Sequence, residues 1–245
     1  MPEPVHPLPS DHHLSMKVVM RTFEKLAMLG VSLLLVAGFA ASASAKKNEL
    51  PQTTEDGMEL VKHTEMRAVY RMPDASLEPY SKVILLDCYV AFEKHWQRNY
   101  NRQELSLQSR ITDKDMEQMK SVVAEEFVEE FTKVLNKRGH EVVTDAAEDV
   151  LILRPAIINL EVTAPGKVTA GRSREFVSSA GAMTLYMEVY DSVSGAKLGK
   201  VLDPRASTLA GGQIANKTTN IAAADRQLRQ WAEILADHLG ALKDS

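Results

Sequence analysis

Between residues 182 and 193 the chain alternates strictly. Met183, Leu185, Met187 and Val189 fall on one side, and Thr184, Tyr186, Glu188 and Tyr190 on the other. A period of two is strand geometry, with one face covered and the other more polar. Ser194-Gly195 then supplies a turn and Ala196–Asp203 a return strand, so the segment reads as a β-hairpin. The apolar face of such a sheet has to be covered by another layer.

Two amphipathic segments can supply that layer. Residues 112–138 open on Thr112, with Asp115 three positions on as a near capping box and Ile111 and Met116 in the staple positions. Met116, Met119, Val123, Phe127, Phe131 and Val134 recur every three or four residues as one apolar stripe. Lys133, Lys137 and Arg138 suit the negative end of a helix, and Gly139 is a natural C′ residue. The acidic run Glu125, Glu126, Glu129, Glu130 reads as a solvated helix face, because Lys133 follows Glu129 by four positions. A second helix is expected over Ala223–Leu242, with Leu228, Trp231, Leu235, Leu239 and Leu242 as its stripe.

Further strands are expected at Glu65–Met72, stopped by Pro73, at Ser81–Phe92, at His140–Thr144 and at Asp149–Thr163. The run Val83-Ile84-Leu85-Leu86 is apolar on both faces, which places Ser81–Phe92 centrally, with Cys88 inside it as a small buried hydrophobe. Pro155 marks the Asp149–Thr163 strand as an edge or a bulge. The expected fold is a single α+β domain over residues 58–245, in the order β-α-β-β-β-β-α, with a mainly antiparallel sheet and two main helices packed on one face. Residues 46–57 (KKNELPQTTEDG) read as a flexible leader.

Residues 1–45 read as an export signal. Lys17, Arg21 and Lys25 precede the uncharged run Leu26–Phe39, and Ala43-Ser44-Ala45 provides a small-residue cleavage site before Lys46. Met16 looks like the natural start. The alternative is a retained anchor helix, since the uncharged window Leu26–Ala45 is twenty residues long. No cysteine follows the run, so no lipid anchor is encoded there. The expected location is therefore exported, periplasmic or peripherally envelope-associated. The net charge of -4 argues against a nucleic-acid partner, and the single cysteine allows no internal disulfide.

The strings LLDCYVAFEKHWQRNYNR (85–102), DVLILRPAIINLEVTAP (149–165), TAGRSREF (169–176), SAGAMTLYMEVYDSVSG (179–195) and DRQLRQWAEILADHL (225–239) together resemble the bacterial envelope family called domain of unknown function 3313. The resemblance runs from about residue 57 to the C-terminus. It implies an exported protein, since members are mostly exported and often lipoproteins. The chain departs from that pattern in lacking the lipobox cysteine, and in carrying Asp203-Pro204-Arg205 where a more basic strand end is expected. The family has no established activity, so the resemblance carries over no catalytic residue.

The chemistry-bearing patterns are sparse. Ala210-Gly211-Gly212-Gln213 lacks the Lys and Ser/Thr of a phosphate loop, and Ser178-Ser179-Ala180-Gly181 is not a nucleophile elbow. His63, His95, His140 and His238 have no metal-ligand spacing. No catalytic, cofactor or metal site is assigned, and an unrecognised hydrolase is the least favoured reading. Two stretches remain as candidates. Phe92–Arg102, FEKHWQRNYNR, is expected in a connecting loop, and interleaves aromatic with basic residues; Trp96, Arg98, Tyr100 and Arg102 make a candidate contact surface. Trp96 and Tyr100 could equally pin that loop to the core. Lys167, Arg172 and Arg174 form a candidate anion clasp. The expected function is a secreted, non-enzymatic envelope protein that docks an envelope protein or a cell-wall component; the alternative is a binding module for a small anionic or glycan ligand. Oligomeric state is left open.

Overall fold

The long helix begins where its cap dictates. In the computed structural model, which describes residues 50–163, 179–208 and 217–241, the Thr112 hydroxyl accepts from the Asp115 N–H at 3.2 Å, and the Asp115 carboxylate accepts from the Thr112 N–H at 2.8 Å. The helix, Asp113–Lys137, ends where Gly139 takes φ 84. The signal-like segment 1–45 and the clasp residues Lys167, Arg172 and Arg174 lie outside the described residues.

Among the described residues, eight strands and three helices follow in chain order: β1 (Glu59–Leu60), β2 (Ala68–Arg71), β3 (Lys82–Leu85), β4 (Tyr89–Phe92), α1 (Trp96–Gln103), α2 (Asp113–Lys137), β5 (Glu141–Val142), β6 (Val150–Val162), β7 (Ser179–Asp191), β8 (Lys197–Thr208) and α3 (Lys217–Ala241). A single 3-10 turn at Leu107–Ser109 joins α1 to α2. All strands share one sheet, ordered β1-β2-β8-β7-β6-β3-β5, with β4 also paired to β6. The α+β class holds, but the sheet is mixed. The β7–β8 hairpin and its neighbours β2 and β6 are antiparallel, whereas β3–β6, β4–β6 and β3–β5 are parallel. None of the described helices is long and apolar enough to cross a membrane.

The apolar face of β7 packs under both long helices. Met183, Leu185, Met187 and Val189 join Leu151, Leu153, Ile157 and Val201 beneath Phe127, Phe131 and Leu135 of α2 and Leu228, Trp231 and Leu235 of α3. Phe127 and Phe131 stack at 3.9 Å. Burial along α2 is uneven: Met116, Met119 and Val123 are only half-buried, and the fully buried part begins at Phe127. The opposite sheet face carries a smaller cluster of Met58, Ala68 and Tyr70.

Several expectations are corrected. Ser81–Phe92 is not one central strand but two short ones, β3 and β4, broken at Leu86–Cys88, and both run along the outer side of β6. The long strands β6, β7 and β8 lie at the middle of the sheet. Pro155 lies inside one of them, opposite Met187. The Leu153 carbonyl accepts from the Leu86 N–H, so this side of β6 faces β3. Pro155, two residues on, points its missing donor into the joint between β3 and β4, where no ladder bond is lost. The bulge lies further along, where Asn159 takes φ 52 and the register shifts between Ile158 and Glu161. Residues 50–57 of the expected loose leader are fastened down. The Pro51 carbonyl accepts from the Tyr70 hydroxyl at 3.1 Å, the Gln52 carbonyl accepts from the Leu60 N–H at 2.8 Å, and Asp56 pairs with Lys200 at 2.8 Å.

Candidate functional site

The stretch read as a connecting loop, Phe92–Arg102, is largely the helix α1. Its sequence WQRNYNRQ is a poor helix former, and its N-cap, His95, sits at φ 69 without a side-chain cap bond. Tertiary ties hold it instead. The Gln97 amide donates to the Ile111 carbonyl at 3.1 Å and to Asp113 at 2.9 Å. Asn101 binds both backbone groups of Ile111, donating at 2.8 Å and accepting at 2.7 Å. Sequence reading missed Gln97 and Asn101, because their partner lies ten or more positions away.

These ties fix what the rest of α1 presents. Phe92, Trp96 and Tyr100 form a continuous stack, with centroids 4.7 Å and 5.5 Å apart. Each is half-buried. Arg98 and Arg102, one turn apart, are exposed. All four candidate contact residues thus lie on one short helix. The rings stack mainly on one another, so their faces are largely occupied by neighbours. A shallow recess of about 420 Å³ lies beside them, lined by Phe92, His95, Trp96, Arg98 and, from α2, Met116 and Lys120.

Other polar clusters are braces. Glu188, on the face away from the helices, accepts from Tyr186 at 2.8 Å, Tyr190 at 2.7 Å and Lys197 at 2.7 Å, with Arg154 at 3.5 Å. Burial works to raise the Glu188 pKa, but the donors around it hold its carboxyl below the ordinary range. Burial and the Glu188 bond push the Tyr186 phenol up. Four donors fill the carboxylate's acceptor sites. Glu130, read as part of a solvated face, is buried. It takes two bonds from Arg229 of α3, at 2.9 and 3.3 Å, and one from Lys133 at 3.2 Å. Its carboxyl is held down chiefly by Arg229. Cys88 is buried, and burial pushes its thiol up to about 12. Among the described residues no group of three or more His, Cys, Asp or Glu could hold a metal ion.

Two dodecamer structures of PelC from Paraburkholderia phytofirmans, one of them a single-residue variant, are similar to this chain. They share 9% and 10% identity, cover 69% of this chain and 95–96% of their own, and each has a TM-score of 0.35. A likeness that slight carries no argument about role or assembly. No curated protein matches the sequence. The family model described as "Protein of unknown function (DUF3313)" matches residues 55–235. That match spans most of the chain and nearly all of its sheet and helices, and the protein belongs to this family.

Proposed function

We propose that this is an exported protein of the cell envelope that works by docking rather than by catalysis, and that α1 is its docking element. One observation carries the reading. A helix with little intrinsic stability is tied to the body through Gln97 and Asn101, and this rigid mount displays Arg98 and Arg102, exposed and one turn apart, on the side away from the stacked Trp96 and Tyr100. Rigid presentation lowers the ordering cost of association, and Arg is among the side chains in which binding energy concentrates.

The test is crosslinking inside the cell. A photoreactive amino acid replaces Arg98 or Arg102 in one set of cells and the distant, exposed Val193 in another. Docking through α1 yields adducts from the first set and none from the second. The absence of α1-specific adducts would overturn the reading.

A further inference from the structure

Beyond the base of α1 the chain makes an excursion that nothing in the fold requires. Asn101 grips both backbone groups of Ile111, so residues 102–110 leave and return at a fixed point. Leu105 and Leu107 on that loop are 97% and 75% exposed. Isolated exposed leucines are ordinary, but two on one anchored loop leave apolar surface in water that the core could have used. Their setting is basic. From residue 94 to 110 the chain carries Lys94, Arg98, Arg102 and Arg110 against Glu104 alone, in a protein of net charge -4. Arg98 and Arg102 make no ion pair among the described residues.

Exposed leucines in the same short stretch as exposed arginines match one kind of surface. Leucines enter the boundary between headgroups and acyl chains, while Lys and Arg stay at the level of anionic headgroups. A glycan would leave the leucines without an apolar partner. The acidic remainder of the chain would be repelled from the same surface, which fixes the orientation. We infer that the α1–Leu107 region is a membrane-surface contact that recognises anionic phospholipid through Arg98 and Arg102 and inserts Leu105 and Leu107. This rests on the reading of α1 as the docking element and names its partner.

The experiment is co-sedimentation of the full chain, purified from cells, with vesicles of phosphatidylcholine alone or mixed in equal parts with phosphatidylglycerol. Parent and variants are compared, so any contribution of Leu26–Phe39 cancels. The parent should prefer the anionic vesicles. Arg98→Gln and Arg102→Gln should each lower partitioning about fivefold. Leu105→Asp with Leu107→Asp should lower it about tenfold or more. Side chains this exposed can change without moving the melting temperature, and the arginine variants give an independent arm. Variants that partition like the parent, or a parent without preference for anionic vesicles, would overturn the inference. Adducts from Arg98 to a protein, combined with unchanged partitioning of the variants, would overturn it and leave the docking reading standing. Loss of both signals would overturn both.

Discussion

The indole N–H of Trp231 donates to a carboxylate oxygen of Asp203 at 2.7 Å, deep between α3 and β8. Asp203 is only 2% exposed, a charge placed on the helix-facing side of the sheet. It is tolerated because every direction is answered: the Arg205 guanidinium donates at 2.7 Å and the Arg67 N–H at 2.8 Å. The node thus joins three parts of the chain. Asp203→Ala should cost about 3–5 kcal/mol, since it strands the arginine and the indole together. Trp231→Phe removes one bond and keeps most of the packing, and should cost about 1–3 kcal/mol. Urea denaturation of both variants checks the order; equal losses would mean that packing alone holds α3.

Glu130 and Arg229 bridge the two long helices. A double-mutant cycle with Glu130→Gln and Arg229→Met should show a coupling of about 1–3 kcal/mol, larger than an exposed pair gives, because Glu130 is buried. Additive losses would show that the bridge does not couple the helices.

Asp225 behaves oppositely. It is half-buried near Glu130, and one of its oxygens lacks a hydrogen-bond partner. Burial, then the Glu130 charge, raise its pKa. An acid raised in the folded state binds its proton more tightly there than in the unfolded chain. It therefore costs nothing at low pH, and weakens the fold as pH rises through the raised value. Asp225→Asn should raise the melting temperature by about 1–3 °C at neutral pH, and the gain should vanish below a pH of about 4. Identical melting across that range would remove this account.

The strap at residues 50–60 should respond to acid in the other sense. Its Asp56 is held at about 2, first by the Lys200 ion pair and then by the Thr54 hydroxyl. A lowered acid contributes its full stabilisation above its unfolded pKa of about 4, and loses it as pH falls through about 2. Pepsin cleavage within 50–60 should increase as pH falls across that window. Lys200→Met should make the strap sensitive at its upper end already.

At the β6–β7 bulge Gly181 takes φ 143, and a Cβ there would collide with the Glu161 carbonyl. Gly181→Ala should cost about 1–3 kcal/mol in backbone strain before any collision is counted. Thermal melting that matches the parent would mean the bulge can relax.

The elements legible in the sequence are those whose cause is local. The Thr112–Asp115 cap, the Met183–Val189 alternation, the Ser194-Gly195 turn and the Leu228–Leu239 stripe each declare themselves within a few residues. What escaped is set from afar. The break at Leu86–Cys88 carries no Gly or Pro of its own; it falls where the partner strand β6 places Pro155. α1 has polar residues and no cap, and owes its helix to Ile111. Glu130 reads with its neighbours as a solvated face because Lys133 follows Glu129, yet its main partner, Arg229, sits 99 positions away. Of the candidate site, the residue types were visible, whereas their mounting on a helix and the exposed Leu105 and Leu107 were not.

Among the described residues the strand order ends at β1 and β5, strands of two residues each, and the four-residue β4 beside β6 forms a further short edge. Of its long strands, β6 and β7 are flanked on both sides, and β8 pairs on its outer side with β2 over Gly199–Leu202. A foreign strand arriving at β1, β4 or β5 finds a template of only two to four residues. Edges this short offer little purchase to the strand-by-strand stacking from which fibrils grow.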